Sequence, residues 1–516
     1  MPSGVCQVSV SAEARSSFCA SSAQSDSVFF VMHFLRIFHP HPTISQDRRA
    51  IQILDFYSRL RTLLMKTMQI YAFDMNCVGH INHGLWTHPR DQSVRYTDLD
   101  YWTEFARTAE RGKLDGIFLA DIVGVYDVYK DSPAPVIETA AQIPVNDPLI
   151  PISAMAHVTK HLGFGVTVNT TYEPPFLLAR RMSTLDHLTK GRIGWNIVTG
   201  YLDSAARSMG FDKLPEHNAR YDAAEEYLEI LYKLWEGSWD DDAVRRDRTG
   251  GIYADPSKVR AVHHDGRYYR MEGIHLAEPS PQRTPLLFQA GASARGQDFA
   301  ARHAECVFVA SPSPGAARPT VDALRAKAQA FGRGGAALKI LNLITVVVGR
   351  TERQAQDRLE DYRRHASIEA SLAHYSASIG IDLAKFRLDD VVEQSSTNAN
   401  QSALAAITKQ AAKPVTKREI IDQMVLGSRM KPVVGSPEQI ADRLQEWIEQ
   451  GDIDGFNLAR TVAPESLIDF IDLVVPVLQE RGFFKADYCE GPLRQKLFGG
   501  GNGRLPDAHP AASFRR

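Results

Sequence analysis

A chain of 516 residues is long enough for one large domain or two to three ordinary ones, and 44% hydrophobic with 23% charged residues is a globular balance. Its formal net charge of −2 gives no basic footprint for nucleic acid or anionic lipid and points to a small-molecule partner. Five scattered cysteines (Cys6, Cys19, Cys77, Cys306, Cys489) form no CxxC pair, which disfavours a disulfide framework or zinc site and leads us to expect a reducing, cytoplasmic setting.

Residues 1–64 are Ser-rich to Ser27, then carry a short apolar run at 28–32 and a His-Pro stretch at 39–42. They lack packing periodicity, so we expect a leader outside the fold, with a transit peptide as the alternative, and a fold starting near Met65 or Met68. No run of about 18 apolar residues offers a membrane span anywhere in the chain.

From Gln69 onward, β-rich runs alternate with amphipathic helices, as in a parallel α/β fold. Strand candidates fall at 70–73, 116–120, 165–169, 193–198, 286–290, 307–310, 340–347 and 455–458. A helix on Trp102, Phe105, Ala106 and Ala109 follows the first and stops at Gly112. Asp147 and Pro148 read as N-cap and first residue of the next. The third strand leads to a helix from Pro174 to a Gly191 stop. The fourth leads to a helix over about 218–235, with Ala224, Tyr227, Leu228, Leu231 and Trp235 on one face. Thr351 with Gln354, and Ser436 with Gln439, have capping-box spacing. Leu467, Phe470, Ile471 and Val474 mark the closing helix.

Eight such runs, most followed by a helix, predict an α/β fold of the closed (β/α)8 TIM-barrel type over an open sheet. Their continuous apolar character suits strands covered on both faces. Two segments interrupt the alternation. Residues 237–284 contain a predicted hairpin turning at Asp265-Gly266, and residues 367–433 show no strand and only a weak helical pattern. Insertions of this size in a barrel serve as lids or binding loops.

Function in a barrel sits where strands end. The segment Gln289-Ala290-Gly291-Ala292-Ser293-Ala294-Arg295-Gly296 joins a strand end to a helix start, where small residues, free N–H groups and the donors of Ser293 and Arg295 could cradle a phosphate or simply form a tight turn. His217 and Tyr221 share a helical face and could reach a ligand or only pack locally. Asp121 ends a buried strand and needs a partner, either a ligand or nearby backbone N–H groups. His80, His83 and His88 crowd around Trp86, a pocket wall rather than a metal site, since carboxylate or thiolate ligands are not nearby and HExxH is absent. GxGxxG after a strand, GxxxxGK[ST] and GxSxG are absent too, so the chain carries no Rossmann-type nicotinamide site of its own.

Several runs resemble a known family. They are Thr170-Thr171-Tyr172-Glu173-Pro174-Pro175-Phe176, Leu185-Asp186-His187-Leu188-Thr189-Lys190-Gly191-Arg192, Trp195-Asn196-Ile197-Val198-Thr199, His217-Asn218-Ala219-Arg220-Tyr221 and Phe288-Gln289-Ala290-Gly291-Ala292-Ser293. Together they look like the luciferase-like flavin monooxygenases, in the subgroup of nitrilotriacetate and dibenzothiophene-sulfone monooxygenases, from about Gln69 to the tail. The resemblance implies a barrel that binds reduced FMN (FMNH2) at its C-terminal face, a separate NADH:FMN reductase as partner, O2 as co-substrate and a homo-oligomeric state. Carried over position by position, FMN contacts fall on Asp121, Thr167, His217, Tyr221 and Ser293, with Asn196 and Gln289 facing the same pocket.

The runs 73–77, 120–129 and 144–148, with the tail run 509–512, are most similar to dimethyl-sulfide monooxygenases, which implies a small organosulfur substrate cleaved to methanethiol and formaldehyde. The aromatic residues Trp86, Tyr126, Tyr172 and Phe176, with few cations beyond Arg90, Arg295 and Arg460, also favour a small neutral substrate over a polyanion. Rival readings are a sulfone or aminopolycarboxylate substrate, a flavin-binding barrel without catalysis, and a metal-dependent barrel hydrolase. No side chain is assigned proton transfer; His83 and His217 are candidates only.

Overall fold

A computed structural model describes residues 66–516 apart from Ala292, 394–396, 409–412, 428–429, Asn502 and Arg516. The expectation for residues 1–64 lies outside the described residues. Eight strands are laid down in chain order: β1 (Gln69–Met75), β2 (Gly116–Ala120), β3 (Gly163–Asn169), β4 (Ile193–Val198), β5 (Leu286–Gln289), β6 (Cys306–Val309), β7 (Lys339–Val348) and β8 (Gly455–Ala459). Each pairs in parallel with the next, and β8 returns to β1, with Gln69 opposite Gly455. The sheet is therefore a closed eight-stranded parallel barrel, and the sequence-predicted strands match it to within two residues at each end.

The barrel interior is packed by aromatic rings. Phe288 lies parallel to Phe308 at 5.5 Å, and Phe118 meets Phe308 edge-on at 4.3 Å. Glycines on β3 and β4 make this possible, because a Cβ on Gly165 would fall 2.6 Å from Phe118 and one on Gly194 2.4 Å from Phe288. Leu493 and Leu497, from the helix Leu493–Phe498, join this cluster at the end where the strands begin. There Arg494 bonds to Glu305 and to the carbonyls of Thr284, Pro285 and Gly503.

Local signals place most helices. Ser436 and Gln439 form both bonds of a capping box. Thr351 caps Gln354 N–H, but the Gln354 side chain accepts from Arg350 N–H instead of completing the box. The helix expected from Asp147 is a correction: Asp147 Oδ1 accepts from Leu149 N–H to make a turn, and the helix runs Ile152–His157 behind Pro151. A turn led by an Asx side chain competes with helix initiation at that position.

The segment 237–284 holds two hairpins, Val244–Asp247 with Ile252–Ala254 and Val262–Asp265 with Arg270–Gly273. The second is tied to the helix His217–Tyr232 by Glu226, which accepts from Tyr268 and Tyr269 N–H and meets His264 Nε2 at 3.0 Å. The described residues of the segment 367–433 include the helices Ile368–Ile379, Gln401–Ile407 and Lys417–Met424, whose buried residues cluster with Tyr126, Tyr129, Val136 and Leu202. Ala370 through Ile379 are all buried, so that helix shows no amphipathic stripe to read. A short strand missed in the sequence, Val433–Gly435, pairs with the end of β7. Among the described residues no helix is long and apolar enough to cross a membrane.

Candidate active site

A cleft enclosing about 1000 Å3, with open solvent at its mouth included, lies at the C-terminal ends of β2 to β5. Asp121 follows β2, Thr167 and Asn169 come from β3, Ile197 and Val198 end β4, and Gln289 ends β5. The helix His217–Tyr232 contributes His217, Arg220 and Tyr221 from its first turn, and Ala399–Ser402 of the long insertion close one side. Asp121, Thr167, His217, Tyr221 and Ser293 thus meet around one cavity, although up to 172 residues separate them in the chain (293 − 121).

One end of the cleft suits a phosphate. Ser293 is the N-cap of the helix Ala294–His303, accepting from Gly296 N–H at 3.1 Å, and its hydroxyl lies 3.3 Å from His217 Nε2. Gly291 and Gly296 pack face to face beside Tyr221: a Cβ on either would come within 2.8 Å of the Tyr221 hydroxyl. Small residues, a helix start and three side-chain donors make a concavity that a side chain would fill. The other end is lined by Asp121 and Thr167; Asn196, expected to face the pocket, is instead buried next to Thr167 and is not part of the lining. Asn196 Nδ2 donates to Thr167 Oγ1 at 2.9 Å, while Asn196 Oδ1 is buried with no partner. Polar groups of Asp121, Thr167 and Gln289 at the strand ends, apolar Ile122, Val123 and Ile197 beside them and an anion cradle at the other end fit an aromatic ring system with polar edges joined to a phosphate. Bound there, reduced FMN would supply electrons to O2; the protein's contribution is to hold it and keep water away.

Asp121 is strained electrostatically. Burial, and then the nearby charge of Asp147, push its carboxyl up to about 7, against a partial opposing effect of the Ile122 N–H. A carboxyl with a raised folded-state value destabilises the fold as it ionises. That cost is absent below the ordinary value near 4, grows between about pH 4 and 7, and is complete above. Asp121→Asn is therefore expected to raise the melting temperature of the flavin-free protein more at pH 8 than at pH 5. Equal increments at the two pH values would contradict the assignment.

Other sequence candidates lie elsewhere. His80 packs edge-on against Phe73, His83 Nε2 meets His374 Nδ1 at 3.0 Å, and Trp86 donates to the Thr139 carbonyl; none of the three lines the cleft, nor does His88. His80 and His83 are held neutral, their values lowered by burial and by Arg460. His88, Asp361 and His365 come together with ligand atoms within 4.8 Å. His88 Nδ1 accepts from Arg90 N–H, however, so its proton sits on Nε2 facing Asp361, which also pairs with Arg90 and Arg364. This is a satisfied ion-pair cluster.

The arginines change most from the sequence reading. Arg90 pairs with Glu465 and Asp361, Arg460 with Asp74, and Arg295 turns from the cradle to Asp222 and Glu225. Arg220 instead stands in the cavity wall, buried and without a carboxylate bonded to it among the described residues. Arg220 has no role in the sequence pattern, yet its place on the same helical face as His217 and Tyr221 is a usable signal.

Comparison with known proteins gives consistent matches. The model of the family described as luciferase-like monooxygenase matches residues 80–453. The long-chain alkane monooxygenase of Geobacillus thermodenitrificans (strain NG80-2) is 51% identical over 454 residues, 88% of this chain and 99% of that protein. A solved structure of a long-chain alkane monooxygenase, also 51% identical, aligns with a TM-score of 0.82 over 88% of this chain and 100% of that one. The dimethyl-sulfide monooxygenase of Hyphomicrobium sulfonivorans is 47% identical over 453 residues, 88% of this chain and 94% of that protein. A riboflavin lyase structure containing modified FMN and riboflavin is 36% identical with a TM-score of 0.83, over 87% and 100%.

Proposed function

The chain belongs to the luciferase-like monooxygenases, enzymes that use reduced FMN, and on that premise we propose that it oxygenates an uncharged, apolar substrate with electrons delivered by a separate NADH:FMN reductase. The carrying observation is the composition of the cleft. Ile122, Val123, Ile197, Val198, Leu202 and Ala399 supply apolar wall, and Arg220 is its one cation among the described lining residues. A polyanion such as an aminopolycarboxylate would bury several carboxylates against a single guanidinium, at several kcal/mol for each one left unpaired.

Two substrates fit this wall. Dimethyl sulfide would be oxygenated at a methyl carbon and fall apart to methanethiol and formaldehyde, with the second oxygen atom leaving as water. The motif likeness to the dimethyl-sulfide enzyme supports this reading. A long-chain alkane would give the alcohol and water, a reading supported by the higher identity, 51% against 47%, to the alkane enzyme. Purified protein, reductase, FMN, NADH and O2 offered dimethyl sulfide, an n-alkane and nitrilotriacetate separately test the proposal. Product is expected from an apolar substrate and none from nitrilotriacetate; the reverse pattern would overturn it.

The proposal extends to the five carried-over contacts (Asp121, Thr167, His217, Tyr221 and Ser293) as flavin ligands, to a homo-oligomer, and to a catalytic unit that begins near Met65. Lys66–Arg516 is one compact unit, and the family match falls wholly inside it. A chain starting at Met65 is expected to be soluble and fully active in that assay. Insoluble or inactive protein after this truncation would count against dispensability.

A further inference from the structure

Arg220 is 3% exposed, yet it is held by carbonyl and amide oxygens and not by a carboxylate. Nη1 donates to Pro215 O and, at 3.3 Å, to Asn398 Oδ1; Nη2 donates to Asn398 O at 3.0 Å; Nε is buried without a partner. Glu216 and Asp203 act on it only through space. A buried cation with no counter-ion is costly, and an arginine kept so at a cavity wall is poised for an anion that arrives from outside. It lies three residues beyond His217, on the helical face that also carries Tyr221 toward the Ser293 cradle.

Asn398 belongs to the 367–433 insertion and fixes this arginine from the other side. Its Oδ1 also accepts from His217 N–H at 2.9 Å, and its Nδ2 donates to the carbonyls of Leu214 and Pro215 at 3.2 and 3.3 Å. One asparagine therefore joins the insertion to the first turn of the helix and orients two residues of the cradle. The residues directly after it, Ala399 to Ser402, are cavity wall.

The geometry points to Arg220 as the cation that receives the phosphate monoester of the flavin, and to Asn398 as the positioning residue that holds it there. The phosphate site is then complete only when the insertion is seated. This rests on the reading that the cleft takes FMN, and riboflavin, which lacks the phosphate, separates the two claims. The full chain is titrated anaerobically with reduced FMN and reduced riboflavin, as wild type, Arg220→Met, Arg220→Lys and Asn398→Ala. Wild type is expected to prefer FMN. Arg220→Met loses about tenfold or more of its FMN affinity with riboflavin binding unchanged, and Asn398→Ala narrows the same preference by a smaller factor. Arg220→Lys keeps the charge and part of the preference, so that it and Asn398→Ala carry the test if Arg220→Met does not fold.

A second readout follows the insertion itself. FMN should slow tryptic cleavage after Lys385 and Arg387 in wild type and protect Asn398→Ala less. Equal weakening of both flavins, or an unchanged FMN preference in Arg220→Met and Asn398→Ala, would overturn the inference while leaving flavin binding intact. Wild type that bound neither flavin would remove the reading beneath it.

Discussion

Arg494→Met is expected to lower the unfolding free energy by about 3–5 kcal/mol, the range for removing one partner of a buried ion pair. Arg494 and Glu305 are 3% and 2% exposed. Nε and Nη2 of the arginine meet the two carboxylate oxygens at 2.6 and 2.9 Å, Nη2 also reaches the Thr284 and Pro285 carbonyls, and Nη1 donates to Gly503 O. Methionine fills the space but leaves the Glu305 charge with only the Leu287 N–H, at 3.0 Å, as a bond to its side chain. Adding Glu305→Gln should recover much of the loss, because the uncompensated charge goes with it. Denaturant unfolding measures both. A loss below about 1 kcal/mol, as for an exposed pair, would mean that this tie contributes little. Flavin binding in the folded variant should be normal, since the tie sits where the strands begin and the cleft sits where they end.

Gly291→Val is expected to abolish flavin binding while sparing the fold. A Cβ there would stand 2.2 Å from Gln289 Nε2, 2.7 Å from the Tyr221 hydroxyl and 3.0 Å from Gly296 Cα. The first two are side-chain tips that line the concavity, and a side chain at 291 must push them aside. The substitution fills the cradle with apolar atoms and displaces the donors that define it. A reduced-FMN titration should show at least a hundredfold loss, about 2.7 kcal/mol by the usual conversion. Near-normal affinity in a correctly folded Gly291→Val protein would move the phosphate site elsewhere.

These two positions also show what was legible in the sequence. The barrel is readable because its strands are short apolar runs, most followed by a helix, and the caps at Thr351 and Ser436 are local chemistry. The five proposed contacts sit at strand ends or in a helix's first turn, where family runs and barrel logic both direct attention. The helix Ile368–Ile379 was not legible, since a segment buried on all sides has no period to detect. Arg220 and Asn398 escaped for a different reason. Their meaning comes from a contact across 178 residues that no local pattern encodes. Arg295, a plausible phosphate donor on spacing alone, was lost to two carboxylates on a neighbouring helix.

The central claim, that this cleft holds reduced flavin dry beside an apolar substrate, is tested most directly by a single turnover without reductase. Protein loaded anaerobically with photoreduced FMN is mixed with oxygenated buffer containing dimethyl sulfide or an n-alkane. Product and hydrogen peroxide are then counted against the flavin bound. Free reduced flavin gives peroxide alone, so a site that excludes water should convert most of the bound flavin to product, with formaldehyde or alcohol approaching one per flavin. The same mixture made with Gly291→Val should yield peroxide and almost no product. Peroxide alone from the wild-type protein with both substrates, or equal product from the wild type and Gly291→Val, would contradict the account.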